Sequence, residues 1–295
     1  MSKHDSDLKN NYEQARQFQH ISRPYVKKIT CNMMERILHL DGRDILLRAY
    51  SHTGHVEPIM IYLHGGGFVT GDFDSYGNVC ADLSRICGRK VIAVDYRLAP
   101  EHKFPAGPED CYDAVQSILR HCEDWYQANP ADAIVIGDSA GATLSCVTSM
   151  MARDRGGLMP KKQVLIYPAA WCDFTDSSPF ESVRENGSDY LLTQKNLLDY
   201  MELYARSPED FENPYFAPLR HHDFGNLPET LVVTMEYDPL RDEGNALAEK
   251  LAENGNTVVR HMIRNGIHGM ITLPSSTPLT KDIYKYIKEF VCPEI

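Results

Sequence analysis

The stretch Ala133-Ile134-Val135-Ile136-Gly137-Asp138-Ser139-Ala140-Gly141 decides how this chain is read. Residues 133–136 are apolar and mostly β-branched, the signature of a short buried strand. A serine between two glycines follows, and residues 140–153 then carry a helical pattern. A strand turning sharply into a helix brings two backbones too close for side chains, so glycines flank the serine, and the tight turn exposes its hydroxyl. Without that context, a serine at a helix start is no more than an N-cap. With it, Ser139 reads as a nucleophile.

A serine hydroxyl is a poor nucleophile at neutral pH, so it needs a base and a group to orient that base. Asp238 stands at the carboxyl end of the apolar run 231–237, where strand ends face the ligand crevice of an open α/β sheet. Asp242 falls in the first turn of the next expected helix, where a carboxylate serves the helix dipole. His268 lies in the glycine-flanked loop 265–270, after an expected strand over 256–262 that contains His261. The loop position makes His268 the candidate base; a solvated loop histidine is the plain alternative.

Attack on a carbonyl also creates an oxyanion that backbone N–H groups must hold. His64-Gly65-Gly66-Gly67-Phe68 follows the expected strand 58–63 and offers a loop free of obstructing side chains. Gly66 and Gly67 are the candidate donors, joined by the N–H of Ala140 behind the serine. The spacing matches neither phosphate-binding glycine pattern, GxxxxGK[ST] or GxGxxG.

Outward from these motifs the chain alternates short strands with helices, which predicts an α/β fold with a mostly parallel sheet flanked by helices. Expected strands cover 58–63, 90–94, 133–136, 163–167, 230–235 and 256–262, preceded by a hairpin of 37–40 and 44–50. Expected helices cover 76–87, 107–121, 140–153, 242–254 and 279–291. Two regions break the alternation: a polar lead over 1–28, and an aromatic insertion over 171–215 with a helix near 194–206. We expect them to form a helical cap over a core of 29–170 and 216–295.

The formal net charge of −11, with 41 acidic against 30 basic residues, disfavours nucleic acid and anionic lipid as partners. No apolar run approaches the roughly 18 residues of a membrane span, and the polar start 1–19 has no signal-peptide character. The expected location is therefore cytoplasmic. Eight scattered cysteines lack metal-binding spacing and read as reduced core thiols. The adjacent His221 and His222 lack completing ligands, so no metal is expected.

Five ordered motifs extend the reading: His64-Gly65-Gly66-Gly67-Phe68, the stretch from Tyr96-Arg97-Leu98-Ala99-Pro100 to Ala106, Gly137-Asp138-Ser139-Ala140-Gly141, Asp238-Pro239-Leu240-Arg241-Asp242-Glu243-Gly244, and His268-Gly269. From about Ile59 onward the chain resembles the hormone-sensitive-lipase-like family of α/β-hydrolase esterases, in particular its bacterial acetyl-esterase-like members. The resemblance implies an α/β-hydrolase fold, a helical lid, and hydrolysis of small acyl esters without a cofactor. It also implies Ser139, Asp238 and His268 as triad, with Gly66, Gly67 and Ala140 as oxyanion donors. Phe68 and Trp171 are the candidate substrate contacts.

The expected partner is a small ester with a short acyl chain, since the aromatics of the insertion would fill space that a long chain needs. An amidase or deacetylase with the same residues is the alternative, and a non-catalytic receptor on a disabled scaffold a lesser one. A homo-oligomer is left open.

Overall fold

The computed structural model describes residues 8–21, 31–53 and 56–292. Parts of the expected polar lead, 1–7 and 22–28, lie outside the described residues. Eight strands form one sheet: β1 (Asn32–Leu40), β2 (Arg43–Ser51), β3 (Ile59–Leu63), β4 (Lys90–Asp95), β5 (Ile134–Asp138), β6 (Lys162–Ile166), β7 (Glu229–Tyr237) and β8 (Val258–Ile267). Their spatial order is β1-β2-β4-β3-β5-β6-β7-β8. The first two form the expected antiparallel hairpin, and β2 also runs antiparallel to β4. From β4 to β8 every neighbouring pair is parallel.

The helices are α1 (Leu8–Ile21), α2 (Phe73–Cys87), α3 (Ala106–Tyr126), α4 (Ala140–Asp154), α5 (Glu181–Asn186), α6 (Gln194–Tyr204), α7 (Arg241–Glu253) and α8 (Pro278–Val291). The central strands are mostly apolar because both faces are covered. In β3, Met60 and Tyr62 face the layer that contains residues of α2 and α8, while Ile59, Ile61 and Leu63 face the layer of α3. Leu165 and Val232, on the same side as α3, pack with α4 and α7 residues. Burying a side chain of this size contributes roughly 1.5–3 kcal/mol, so these two layers supply most of the fold's stability.

Some boundaries shift where local chemistry extends an element, and β1 and α3 each run five residues longer than expected at one end. α2 begins at Phe73 because Asp72 caps it: its carboxylate accepts the Ser75 N–H at 2.7 Å, and the Ser75 hydroxyl accepts the Asp72 N–H at 2.9 Å. β8 continues five residues beyond 262, through an irregularity in its pairing with β7, until Ile267 pairs with Tyr237. His268 is thus the first residue past a strand, and its expected loop is shorter than the sequence suggests. Asn265 takes up the irregularity with φ of 57°.

The two regions outside the alternation meet each other. α1 packs on α6, with Lys9 paired to Glu202 and Leu8 buried in the α3-side core. Arg16 then ties α1 to the rest of the chain, donating to the carbonyls of Val69 and Ala99 and to both oxygens of Glu101. Among the described residues, no helix is long and apolar enough to cross a membrane.

Candidate active site

Ser139, Asp238 and His268 come from three separate turns at the carboxyl ends of β5, β7 and β8, and the fold brings them together. His268 Nε2 lies 2.8 Å from Ser139 Oγ, and His268 Nδ1 lies 2.7 Å from Asp238 Oδ2. Asp238 is fully buried, and its other oxygen accepts the Leu240 N–H at 2.9 Å. The Asn186 amide adds a bond to the Asp238 carbonyl at 3.3 Å. The ring of Tyr167 lies 4.5 Å from the imidazole. Asp242 is engaged elsewhere, where its Oδ2 accepts the Ser182 N–H at 2.8 Å and its carboxylate pairs with Arg241.

Ser139 has φ of 53° and ψ of −125°, a conformation that side-chain-bearing residues adopt only under constraint. The constraint is visible on both sides. A Cβ on Gly141 would come within 2.6 Å of the His64 carbonyl carbon, and one on Gly137 within 2.6 Å of the Leu63 carbonyl oxygen. Both obstacles are backbone, so neither can move aside. The Ser139 N–H bonds the Ile166 carbonyl at 2.8 Å, fixing the turn to β6.

The loop after β3 folds back on itself. The Gly66 carbonyl accepts from the N–H groups of Val69 and Thr70, at 3.1 and 2.9 Å. Gly66 and Gly67 have φ of 123° and 63°. Their own N–H groups and that of Ala140 are not used in these turn bonds. Over Gly67 lies the ring of Tyr200, from α6, close enough that a Cβ there would fall within 2.6 Å of three of its carbons.

Phe68 and Trp171, the candidate substrate contacts, are both engaged by protein. The Phe68 ring is 4% exposed and stacks on Tyr204 at 4.0 Å, in a cluster with Phe104 and Phe216. It therefore belongs to the core packed against α6 rather than to an open pocket wall. Trp171 is half-buried, edge-on to Phe180, with the Arg220 guanidinium 4.4 Å above its ring.

Sequence reasoning missed the buried groups around the relay. Asp138 accepts from Tyr62 Oη at 2.7 Å, Gly65 N at 2.9 Å and Tyr76 Oη at 3.2 Å. Burial raises its pKa, and the Tyr62 and Gly65 bonds oppose that. Glu243 is wholly buried, and its Oε1 accepts the N–H groups of Ala170 and Trp171 at 2.7 and 3.3 Å. Burial pushes its carboxyl up to about 8. His64 is buried between Tyr96 and Tyr76, and burial holds its pKa down to about 4. No periodicity marks such residues; the only clue was their place inside a motif.

Other sequence candidates are absorbed structurally. His221 accepts the Asp223 N–H and lies beside Asp154 and Arg153. Six of the eight cysteines are buried, and burial raises the pKa of each of those thiols.

Comparison with known proteins agrees with this architecture. The alpha/beta hydrolase fold family matches residues 60–272. An arylesterase of Saccharolobus solfataricus is 32% identical over 265 residues, covering 84% of this chain and 82% of that protein. An ethyl acetate hydrolase of Pseudomonas putida is 36% identical over 244 residues, covering 80% and 74%. The solved hyperthermophilic esterase from Pyrobaculum calidifontis superposes with a TM-score of 0.88 at 35% identity, covering 99% of this chain and 92% of that one. With the match spanning most of its length, the chain belongs to the hormone-sensitive-lipase-like family of the α/β-hydrolase fold and is an ester hydrolase.

Proposed function

We propose that this chain is a serine carboxylesterase acting on small esters of short acyl chains. The observation that carries the reading is the unbroken relay from Ser139 Oγ to His268 to the buried Asp238, at 2.8 and 2.7 Å. With its proton on Nδ1 and held by Asp238, the imidazole presents Nε2 as a base to the serine hydroxyl. Ser139 Oγ attacks the ester carbonyl as its proton passes to Nε2. The Gly66, Gly67 and Ala140 amides stabilise the oxyanion, each donor contributing about 3 kcal/mol to lowering the barrier. The imidazolium then protonates the leaving alcohol. Water, deprotonated by the same nitrogen, releases the acid from Ser139.

We read α1 and residues 171–215 as a cap over this centre, in a core of 29–170 and 216–295. Two cap side chains stand near the reacting groups. Tyr200 lies on Gly67, and the exposed Leu191 reaches within 3.7 Å of a Cβ placed on Gly269, next to His268. Bulk at both edges of the centre supports short acyl groups.

The test is turnover of p-nitrophenyl esters from acetate to decanoate by the wild type and Ser139→Ala. Activity should peak at the short esters and vanish in the folded variant. An optimum at ten carbons contradicts the acyl-length reading, and wild-type turnover by Ser139→Ala contradicts the mechanism. An anilide in the same series separates ester from amide preference.

A further inference from the structure

Asp138 stands next to the nucleophile in sequence, yet the proposed relay does not use it. It is nevertheless the most heavily bonded buried carboxylate beside the centre. Tyr62 from β3 and Gly65 N–H meet Oδ1 at 2.7 and 2.9 Å, while Tyr76 from α2 and Tyr167 from beyond β6 meet Oδ2 at 3.2 and 3.5 Å. Four donors converging on two oxygens is the coordination of an ionised carboxylate.

Two of these bonds lead to the chemistry. Gly65 is the residue before the expected oxyanion donors, and it has no freedom to drift: a Cβ there would meet Asp138 Oδ2 at 2.6 Å and Tyr76 Oη at 2.9 Å. Tyr96 Oη bonds the His64 carbonyl at 2.7 Å, holding the same turn from its other side. Tyr167, the fourth donor, packs its ring against His268. The carboxylate thus touches the oxyanion loop directly and reaches the general base through one aromatic ring.

We propose that Asp138 is a positioning residue of this ester hydrolase, aiming the Gly66 and Gly67 amides through Gly65 N–H and favouring, by its charge, the imidazolium that forms on His268. This inference rests on the serine-hydrolase reading above. The groups facing Asp138 are the Tyr62, Tyr76, Tyr96 and Tyr167 hydroxyls, the Cys80 thiol and His268. Burial pushes Tyr62, Tyr96, Tyr167 and Cys80 up, so they stay neutral, and His268 is the neighbour on which the proposed mechanism develops positive charge. The attraction between the two is mutual.

Asp138→Asn separates charge from shape, because the amide oxygen still accepts the Gly65 N–H. The experiment is kcat and KM for p-nitrophenyl acetate across pH 5 to 9, with folding followed by near-UV circular dichroism. We expect KM to stay within about twofold while kcat falls about tenfold or more, because a neutral amide neither favours the imidazolium that forms during the reaction nor holds the Gly65 N–H as strongly as a carboxylate does. The acid limb of kcat/KM should move to lower pH, by about half a unit or more, because the anion favouring a protonated imidazole has gone. A folded variant with wild-type kcat, or with an unmoved acid limb, overturns the proposal.

If Asp138→Asn does not fold, Tyr62→Phe removes a single donor instead. A several-fold loss in its kcat at constant KM supports the role, and unchanged kcat overturns it. Ser139→Ala, run alongside, separates the two levels: its retained activity would sink the serine mechanism, whereas a dead Ser139→Ala beside a fully active Asp138→Asn sinks this inference alone.

Discussion

Gly66 and Gly67 should respond differently to a single added methyl group, because their obstacles differ. At Gly66 an alanine Cβ would press on the Thr70 carbonyl, 2.6 Å from its carbon and closer still to its oxygen, and at Gly67 it would press on the Tyr200 ring, within 2.6 Å of three ring carbons. The first obstacle is backbone, locked by the Thr70 N–H bond to the Gly66 carbonyl at 2.9 Å. The second is a side chain. Both substitutions also place alanine at positive φ, 123° and 63°, costing about 1–2 kcal/mol of local strain. Gly66→Ala should therefore displace its amide and lower kcat about 10²- to 10³-fold, the usual effect of losing an oxyanion donor. Gly67→Ala should do comparable damage by pushing against Tyr200. Adding Tyr200→Ala clears that obstacle, so Gly67→Ala/Tyr200→Ala should recover to within about tenfold of Tyr200→Ala alone, leaving mainly the φ strain. The same addition should not rescue Gly66→Ala. Steady-state kinetics on p-nitrophenyl acetate, with melting temperatures to confirm folding, read all five variants. Near-wild-type kcat for Gly66→Ala, or equal rescue of both, would refute the reasoning.

Three further variants test the carboxylates that follow β7. Asp238→Asn should hold His268 in the wrong tautomer and cost about 10⁴ in kcat, while Asp242→Asn, whose carboxylate serves Ser182 and Arg241, should stay within a few-fold; equal losses in both would count against the assignment. Glu243 keeps its proton in the folded state up to about 8 but gives it up near the ordinary 4.5 when unfolded, so its contribution is complete below 4.5 and is lost as pH rises toward 8. Chemical denaturation of the wild type and Glu243→Gln at pH 5 and pH 8 should show a difference that shifts by about 3 kcal/mol in favour of the variant at pH 8; a pH-independent difference contradicts it. His64 acts in the opposite sense in both proteins, withdrawing stability as pH falls from 6.5 to about 4, and so cancels from the comparison.

The sequence made the strand-to-helix turn at Ser139 legible because sterics leave little choice there: glycines at 137 and 141 are demanded by backbone on either side. Chain order and strand ends likewise pointed to Asp238 and His268. Other features depended on three-dimensional neighbours that no local pattern encodes. The extension of β8 to Ile267 relies on a shift in pairing with β7, and Asp138 and Glu243 acquire their roles from donors far away in the chain. Phe68 illustrates the same limit. A phenylalanine beside a glycine loop suggests a pocket wall, but the residue's φ of 65° and the Tyr204 ring turn its side chain into the core.

Covalent labelling tests the central relay most directly. Paraoxon should release p-nitrophenol in a burst of one equivalent per chain, and mass spectrometry should find the diethylphosphoryl group on Ser139, with His268→Ala slowing the burst by orders of magnitude. Labelling elsewhere, or an equally fast burst without the imidazole, would contradict a serine activated by His268.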